Sequence, residues 1–360
     1  GRVRVFVAAF MVPCSAYAVL AADAARAGPS TENVHDARVQ STIQSHVVRH
    51  FQAVAEAAAR LPPAVARACK TGTDGDREEL STHFANVVVA WAGVAYLRFG
   101  PMTGQARQDR MSLWPDRRGE VARELGQLLA SGDPAKFEGG ALAKQSPAVQ
   151  GLPALELLLT DSAAPLGPTD ASSLRCKLAS AIAANVHGIA GELLQGWTSD
   201  GGWQDKMLRA APGKEPYESA QDAARALVMA LYAGLKSVAD DEVKPHLYTT
   251  SKSEGPYAKS NLAAEYYEAG VNALNHFYDA MALESSLAGD KDWVKNSAGI
   301  AWNIVKSSDG AGGRGSGVAK GGQPSVQKVF AAMTTLRKLV ATELSVSAGV
   351  PLLGKTRKTK

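Results

Sequence analysis

The sequence predicts an all-α protein of two packed helical bundles with a site at their interface. Three observations carry this. Apolar residues recur every three or four positions through most of the chain, β-type alternation is nearly absent, and the breaks between periodic stretches are mostly short. With 360 residues, 46% apolar and 21% charged, the chain can bury two cores and has the composition of a folded soluble protein.

The first element is not part of either bundle. Arg2 and Arg4 precede an apolar run from Val5 to Val12, followed by Ala16-Tyr17-Ala18. A basic start, a short apolar run and a small-x-small site are the parts of a secretory signal peptide, expected over residues 1–27. Cleavage fits after Ala18, Ala24 or Ala27, and the alternative is a buried N-terminal helix. The run is shorter than the roughly 20 residues a bilayer span needs, so no transmembrane helix is expected after its removal. Cys14 would suit lipid attachment, but Pro13 before it is a poor fit to the small residue that chemistry wants.

The helices then follow in order. Ile43, Val47, Phe51 and Val54 mark one over about 35–60, and Phe84, Val87, Val88 and Trp91 another over 76–98. Further periodic stretches cover 117–131 and 147–159. From Asp170 to Trp197 the apolar series Leu174, Leu178, Ile182, Val186, Ile189, Leu193 continues to Trp197, with Asp170 as a cap and Gly201-Gly202 after the stop. Helices over 217–240, 261–283, 292–307 and 324–346 complete the set. The expected division is an N-terminal bundle at 28–160 and a C-terminal bundle at 170–350, with helices free to exchange between them and a basic tail at 351–360. Gly310 to Gly315 matches the letters of a dinucleotide fingerprint, but no strand precedes it, so it reads as a loop.

Charge and cysteines bound the function. Thirty-nine Lys and Arg against 35 Asp and Glu give +4, too little and too dispersed for nucleic-acid binding. Of three cysteines, Cys14 would leave with the signal. Cys69 and Cys176 then form an isolated pair that reads as a disulfide in an oxidising compartment, the alternative being two buried thiols.

Few residues offer chemistry. His46 and His50 share a helix face at a spacing that can hold two metal ligands, but no carboxylate completes a local motif, and they read as structural. Three clusters are more informative: Trp91 through Arg98-Phe99-Gly100-Pro101, then Leu113-Trp114-Pro115-Asp116, then Gly151-Leu152-Pro153-Ala154-Leu155-Glu156. Glu156 sits among apolar neighbours, where a carboxylate must be paired, hydrogen-bonded, protonated or metal-bound. Arg98 and Arg175 are candidate partners, and an ion pair clamping helices is the structural alternative to a binding role.

Together with Arg175-Cys176, Ser219 to Ala223, Lys244-Pro245 and Ser260-Asn261-Leu262, these clusters resemble the imelysin family of bacterial exported proteins, over about residues 35–350. The resemblance implies an all-helical, two-domain periplasmic protein linked to iron acquisition, with a site where the domains meet. Some members are described as metallopeptidases. The family hallmark is Gly-x-His-x-x-Glu; here Gly151 and Glu156 match and Pro153 stands at the histidine, as in the imelysin-like branch reading Leu-Pro-Ala-Leu-Glu.

The expected function is therefore binding of a metal, a metal chelate or a partner in a cleft lined by Trp91, Arg98, Trp114, Asp116, Gly151, Pro153 and Glu156. Glu156 is the candidate metal ligand, and iron or another divalent metal the candidate cofactor. An envelope or outer-membrane protein is the candidate macromolecular partner. A structural or adaptor role in the envelope is the first alternative. A metal-dependent peptidase is the second, weakened by the loss of the histidine.

Overall fold

The computed structural model describes residues 31–248, 255–308 and 325–352. The expected signal segment, most of the Gly-rich loop and most of the basic tail lie outside them. Among the described residues there is no strand. Helices α1 (Thr31–Thr42), α2 (Val48–Ala58), α3 (Leu61–Thr71) and α4 (Asp74–Ala92) open the chain. After α5 (Arg107–Met111) and α6 (Glu120–Ala130) come α7 (Leu152–Thr160), the long α8 (Asp170–Thr198) and α9 (Trp203–Leu208). The rest are α10 (Ala220–Ser237), α11 (Pro245–Tyr248), α12 (Ala263–Ala280), α13 (Asp292–Lys306), α14 (Val326–Leu339) and α15 (Ser345–Ser347).

The periodic stretches became helices with boundaries shifted by a few residues. The stretch expected to run to 98 stops at Ala92, where Gly93 begins a turn that carries the chain to Arg98. Helix α3 was not expected. Pro62 and Pro63 look like breakers, yet they sit in its first turn, where no backbone N–H is needed by the helix. The cap of α8 is Thr169, whose hydroxyl accepts from the Ser172 N–H, and Asp170 lies in the first turn.

Packing does not follow chain order. Helices α2, α3 and α4 pack with α8 as one group, while α1 packs on α10, and α12, α13 and α14 gather beside it. Helices α1 and α2 join through a π-helical turn, Ile43–Val47, so one continuous rod serves both groups. Helices α4 and α12 pack together across the junction. The apolar residues of both groups form one continuous core, from Val39 and Phe51 to Leu274 and Val350.

The disulfide is present. Cys69 of α3 bonds to Cys176 of α8, 107 residues away, and so fastens two helices of the same group. His46 and His50 are also where the helix spacing puts them, with ring centroids 4.0 Å apart. His46 is 2% exposed and its Nε2 meets the Tyr96 hydroxyl at 2.5 Å, while His50 Nδ1 is 2.8 Å from the His46 carbonyl oxygen. Burial, with His50 and His276 adding to it, lowers the His46 pKa to about 2, so the ring is neutral in the fold. It is a packed core residue.

Candidate functional site

Between the two helix groups lies a cavity of about 30 Å³. Its first wall comes from Trp91, Ala92, Ala95, Tyr96 and Arg98, at and beyond the end of α4, together with Gln108, Ser112 and Trp114. The second comes from Ser237, Val238, Asp241, Glu242, Tyr266 and Gly270. A volume of this size holds one water-sized group.

Three of the residues expected at a cleft meet here. Trp91 is buried, Arg98 is exposed at the rim, and Trp114 is half-buried. The Arg98 side chain makes no hydrogen bond or ion pair among the described residues; its backbone N–H donates to the Tyr96 carbonyl. The Trp114 indole N–H is buried with no acceptor within reach among the described residues. An unsatisfied buried donor of this kind costs about 1–3 kcal/mol unless something else meets it.

Sequence reading missed Glu242. It belongs to the acidic run Asp240-Asp241-Glu242, which looks like the solvated end of a helix. In the structure a π-helical segment, Val238–Val243, continues α10 and puts both Asp241 and Glu242 on the cavity wall. Asp240 bonds to Lys236 at 2.7 Å, and Asp241 accepts from Ser237 and pairs with Arg117 at 3.6 Å. The Glu242 side chain makes no hydrogen bond or ion pair among the described residues. Burial, and secondarily the Asp241 charge, raise its pKa to about 8 despite the opposing pull of Arg98. It carries a proton at neutral pH. A wide helical turn of this type is a recurrent feature of functional sites.

The other expected residues lie elsewhere. Asp116 does not line the cavity; its carboxylate accepts from the backbone N–H groups of Glu120 at 2.7 Å and Val121 at 3.0 Å, capping α6. Gly151 precedes α7 and is pressed against the backbone of α5: a Cβ there would run into the carbonyl oxygens of Met111 and Arg110. Pro153 occupies the first turn of α7, so the residue in the family histidine's place serves the helix start.

Glu156 is 6% exposed and accepts from the Ser260 backbone N–H at 2.9 Å and its hydroxyl at 2.7 Å. Arg175 is not its clamp: it pairs with Asp161 at 3.2 Å and donates to the Leu158 carbonyl. The Ser260 turn reaches the cavity through Tyr257, whose hydroxyl meets that of Ser112 at 2.6 Å. Both Tyr257 and Asn261 take left-handed backbone angles, φ 58° and φ 59°, which non-glycine residues seldom adopt. The turn that presents Ser260 to Glu156 is therefore bought with local strain. Burial holds the Tyr257 phenol above its ordinary range, so this link is a neutral hydrogen-bonded one.

A larger groove of about 960 Å³ runs along α8, lined in part by the disulfide cysteines Cys69 and Cys176, and none of the residues expected at the cleft lines it. Most of its charged groups are matched, Lys177 with Glu138 and Glu192 with Arg107, while Arg110 donates to Gln150 and Asp170 sits in the first turn of α8. The small cavity is where residues expected at a cleft bring a buried, unsatisfied donor together with Arg98 and Glu242. Among the described residues no group of three His, Cys, Asp or Glu side chains converges to hold a metal. The residues present therefore do not fit a metal held by protein ligands alone.

The fold and the position of this cavity define a class: all-helical proteins with a small polar site set between two helix groups. The chain belongs to the imelysin family, whose model, described as Imelysin, matches residues 47–312. Two solved structures share the fold. One is an imelysin-like protein from Psychrobacter arcticum, 16% identical, with a TM-score of 0.70 over 91% of this chain and 99% of that one. The other, from Parabacteroides distasonis, is named as an iron-regulated protein A precursor. It is 12% identical, with a TM-score of 0.67 over 90% of this chain and 96% of that one. A comparison with curated proteins finds no match.

Proposed function

We propose that this chain is an exported binding protein of iron acquisition that takes a metal chelate, through the chelator, at the cavity between its helix groups. One observation carries this reading: the side chains of Arg98 and Glu242 and the Trp114 N–H face a single cavity with no hydrogen-bond or ion-pair partner among the described residues. The iron connection is supported by the family and by the name of the Parabacteroides protein. Export is supported by the N-terminal pattern, and no helix among the described residues is long and apolar enough to cross a membrane.

A bare cation is the weaker ligand, because Arg98 repels it and too few ligands converge. The peptidase reading has the same difficulty, with Pro153 in place of the histidine. The adaptor reading has one observation in its favour: Trp293 and Ile300, 52% and 63% exposed, lie two turns apart on α13. The deciding experiment is calorimetric titration of the mature protein with iron in free and chelated forms. Stoichiometric binding of a ferric chelate supports the proposal. Binding of no iron form, alongside an envelope partner that Trp293→Asp abolishes, would favour the adaptor.

A further inference from the structure

The cavity's size and its uncommitted groups narrow the ligand class. We propose that the cavity seats one oxygen of a carboxylate ligand, with Arg98, the Trp114 indole N–H and the Glu242 carboxyl as its partners. This rests on the reading that the cavity is the ligand site, and it names the chemistry that site accepts.

The donor set comes first. Arg98 supplies a permanent cation and several N–H groups at the rim, and Trp114 supplies a single N–H that lacks an acceptor. Glu242, faced by Asp241 on its own segment, Arg98 from beyond α4 and Tyr266 on α12, holds its proton at neutral pH and so adds a third donor. Three donors around a space for one small group describe an acceptor's seat. Volume comes second: about 30 Å³ admits one oxygen and leaves the body of the ligand at the rim, where Arg98 is exposed. Charge comes third. Asp241 beside Glu242 penalises a dianionic phosphate or sulfate more than a carboxylate of single charge. The walls, Trp91 and Trp114 among them, exclude water and strengthen each bond to the seated oxygen.

Proton linkage then has a defined sign. The carboxylate binds the form of the site in which Glu242 is protonated, so wherever the ligand itself is ionised, affinity is steady up to about pH 8 and falls up to tenfold per pH unit above it. Substitution by glutamine keeps a donor but removes the proton, and flattens that fall.

The test is calorimetry at pH 7 and pH 9 with three probes, sodium citrate, ferric citrate and ferrous ion alone, on the wild type, Arg98→Gln, Trp114→Phe and Glu242→Gln. Circular dichroism melts confirm that each variant is folded. Citrate without metal is expected to bind, and Arg98→Gln to weaken it about 10- to 100-fold, the equivalent of losing charge-assisted hydrogen bonds. Trp114→Phe should weaken it several-fold, and Glu242→Gln should abolish the loss of affinity between pH 7 and pH 9. The inference is overturned if ferrous ion alone binds and Glu242→Gln removes that binding. It is equally overturned if ferric citrate binds with no response to Arg98→Gln or Trp114→Phe, in which case the iron reading stands. If citrate binds with the expected variant pattern and ferric citrate does not, the carboxylate seat stands and the iron reading fails.

Discussion

Gly151 shows how a single residue can be held for steric reasons inside a functional motif. Its Cα lies against the α5 backbone, and the atoms a Cβ would strike are carbonyl oxygens that cannot move without disturbing α5. Gly151→Ala is expected to destabilise the fold by about 3 kcal/mol or more, read as a lower midpoint in urea unfolding. A change within about 0.5 kcal/mol would contradict the close approach. Glu156, five residues on, was legible as a costly buried acid because apolar neighbours surround it in sequence. Its partner Ser260 was not, since the contact spans 104 residues and depends on a turn with left-handed backbone angles. Asp116 misled in the opposite way: a carboxylate beside tryptophan suggested a site, whereas its position four residues before Glu120 serves a helix cap.

His46 belongs to the same scale and sets a pH dependence. Its folded pKa lies near 2 against about 6.5 unfolded, so below pH 6.5 the unfolded chain takes up a proton that the fold refuses. Stability is therefore full above pH 6.5 and falls by about 1.4 kcal/mol per pH unit below it from this group. His50 and His35, also lowered by burial, act in the same direction. Melting temperature measured from pH 7.5 to 4.5 should decline steadily, and His46→Gln should make that decline shallower. An unchanged slope would place the acid sensitivity elsewhere.

At the scale of elements, two features decide the site. The π-helical segment Val238–Val243 brings Glu242 to the cavity, and nothing in the local sequence separates it from an ordinary helix end rich in acids. Its chemistry becomes visible only when Trp91 and Arg98 arrive from about 145 positions earlier. The helices themselves were readable from apolar periodicity. Helix α3 escaped because Pro62 and Pro63 interrupt the pattern exactly where a first helical turn tolerates them. That helix also carries Cys69, so the bridge to Cys176 closes a loop that runs from the end of α3 through α4, α5, α6 and α7 to the first turns of α8. In the chain-entropy view its loss costs roughly 4–5 kcal/mol, an upper figure. The pair of substitutions Cys69→Ala and Cys176→Ala should lower the melting temperature by several degrees, and thiol reagent should do the same to the wild type. Equal melting with and without reductant would contradict a formed bridge.

For the whole molecule, helix class and family were open to sequence reading, while the way the groups interleave was not. Helices α1 and α2 form one rod that serves both groups, and α8, from the middle of the chain, packs with α2, α3 and α4. Such exchange depends on which apolar faces match in three dimensions, a property that periodicity along one helix does not encode. The consequence is functional: the cavity is built by residues from both groups, and Arg98, Trp114 and Glu242 meet only in the complete fold. The most direct measurement of this account is an anomalous-difference map from crystals of the mature protein grown with ferric citrate. Iron is expected outside the cavity, beyond the Arg98 rim, with a citrate oxygen inside near Trp114 and Glu242. Iron within the cavity and bound by the Glu242 carboxylate would contradict it.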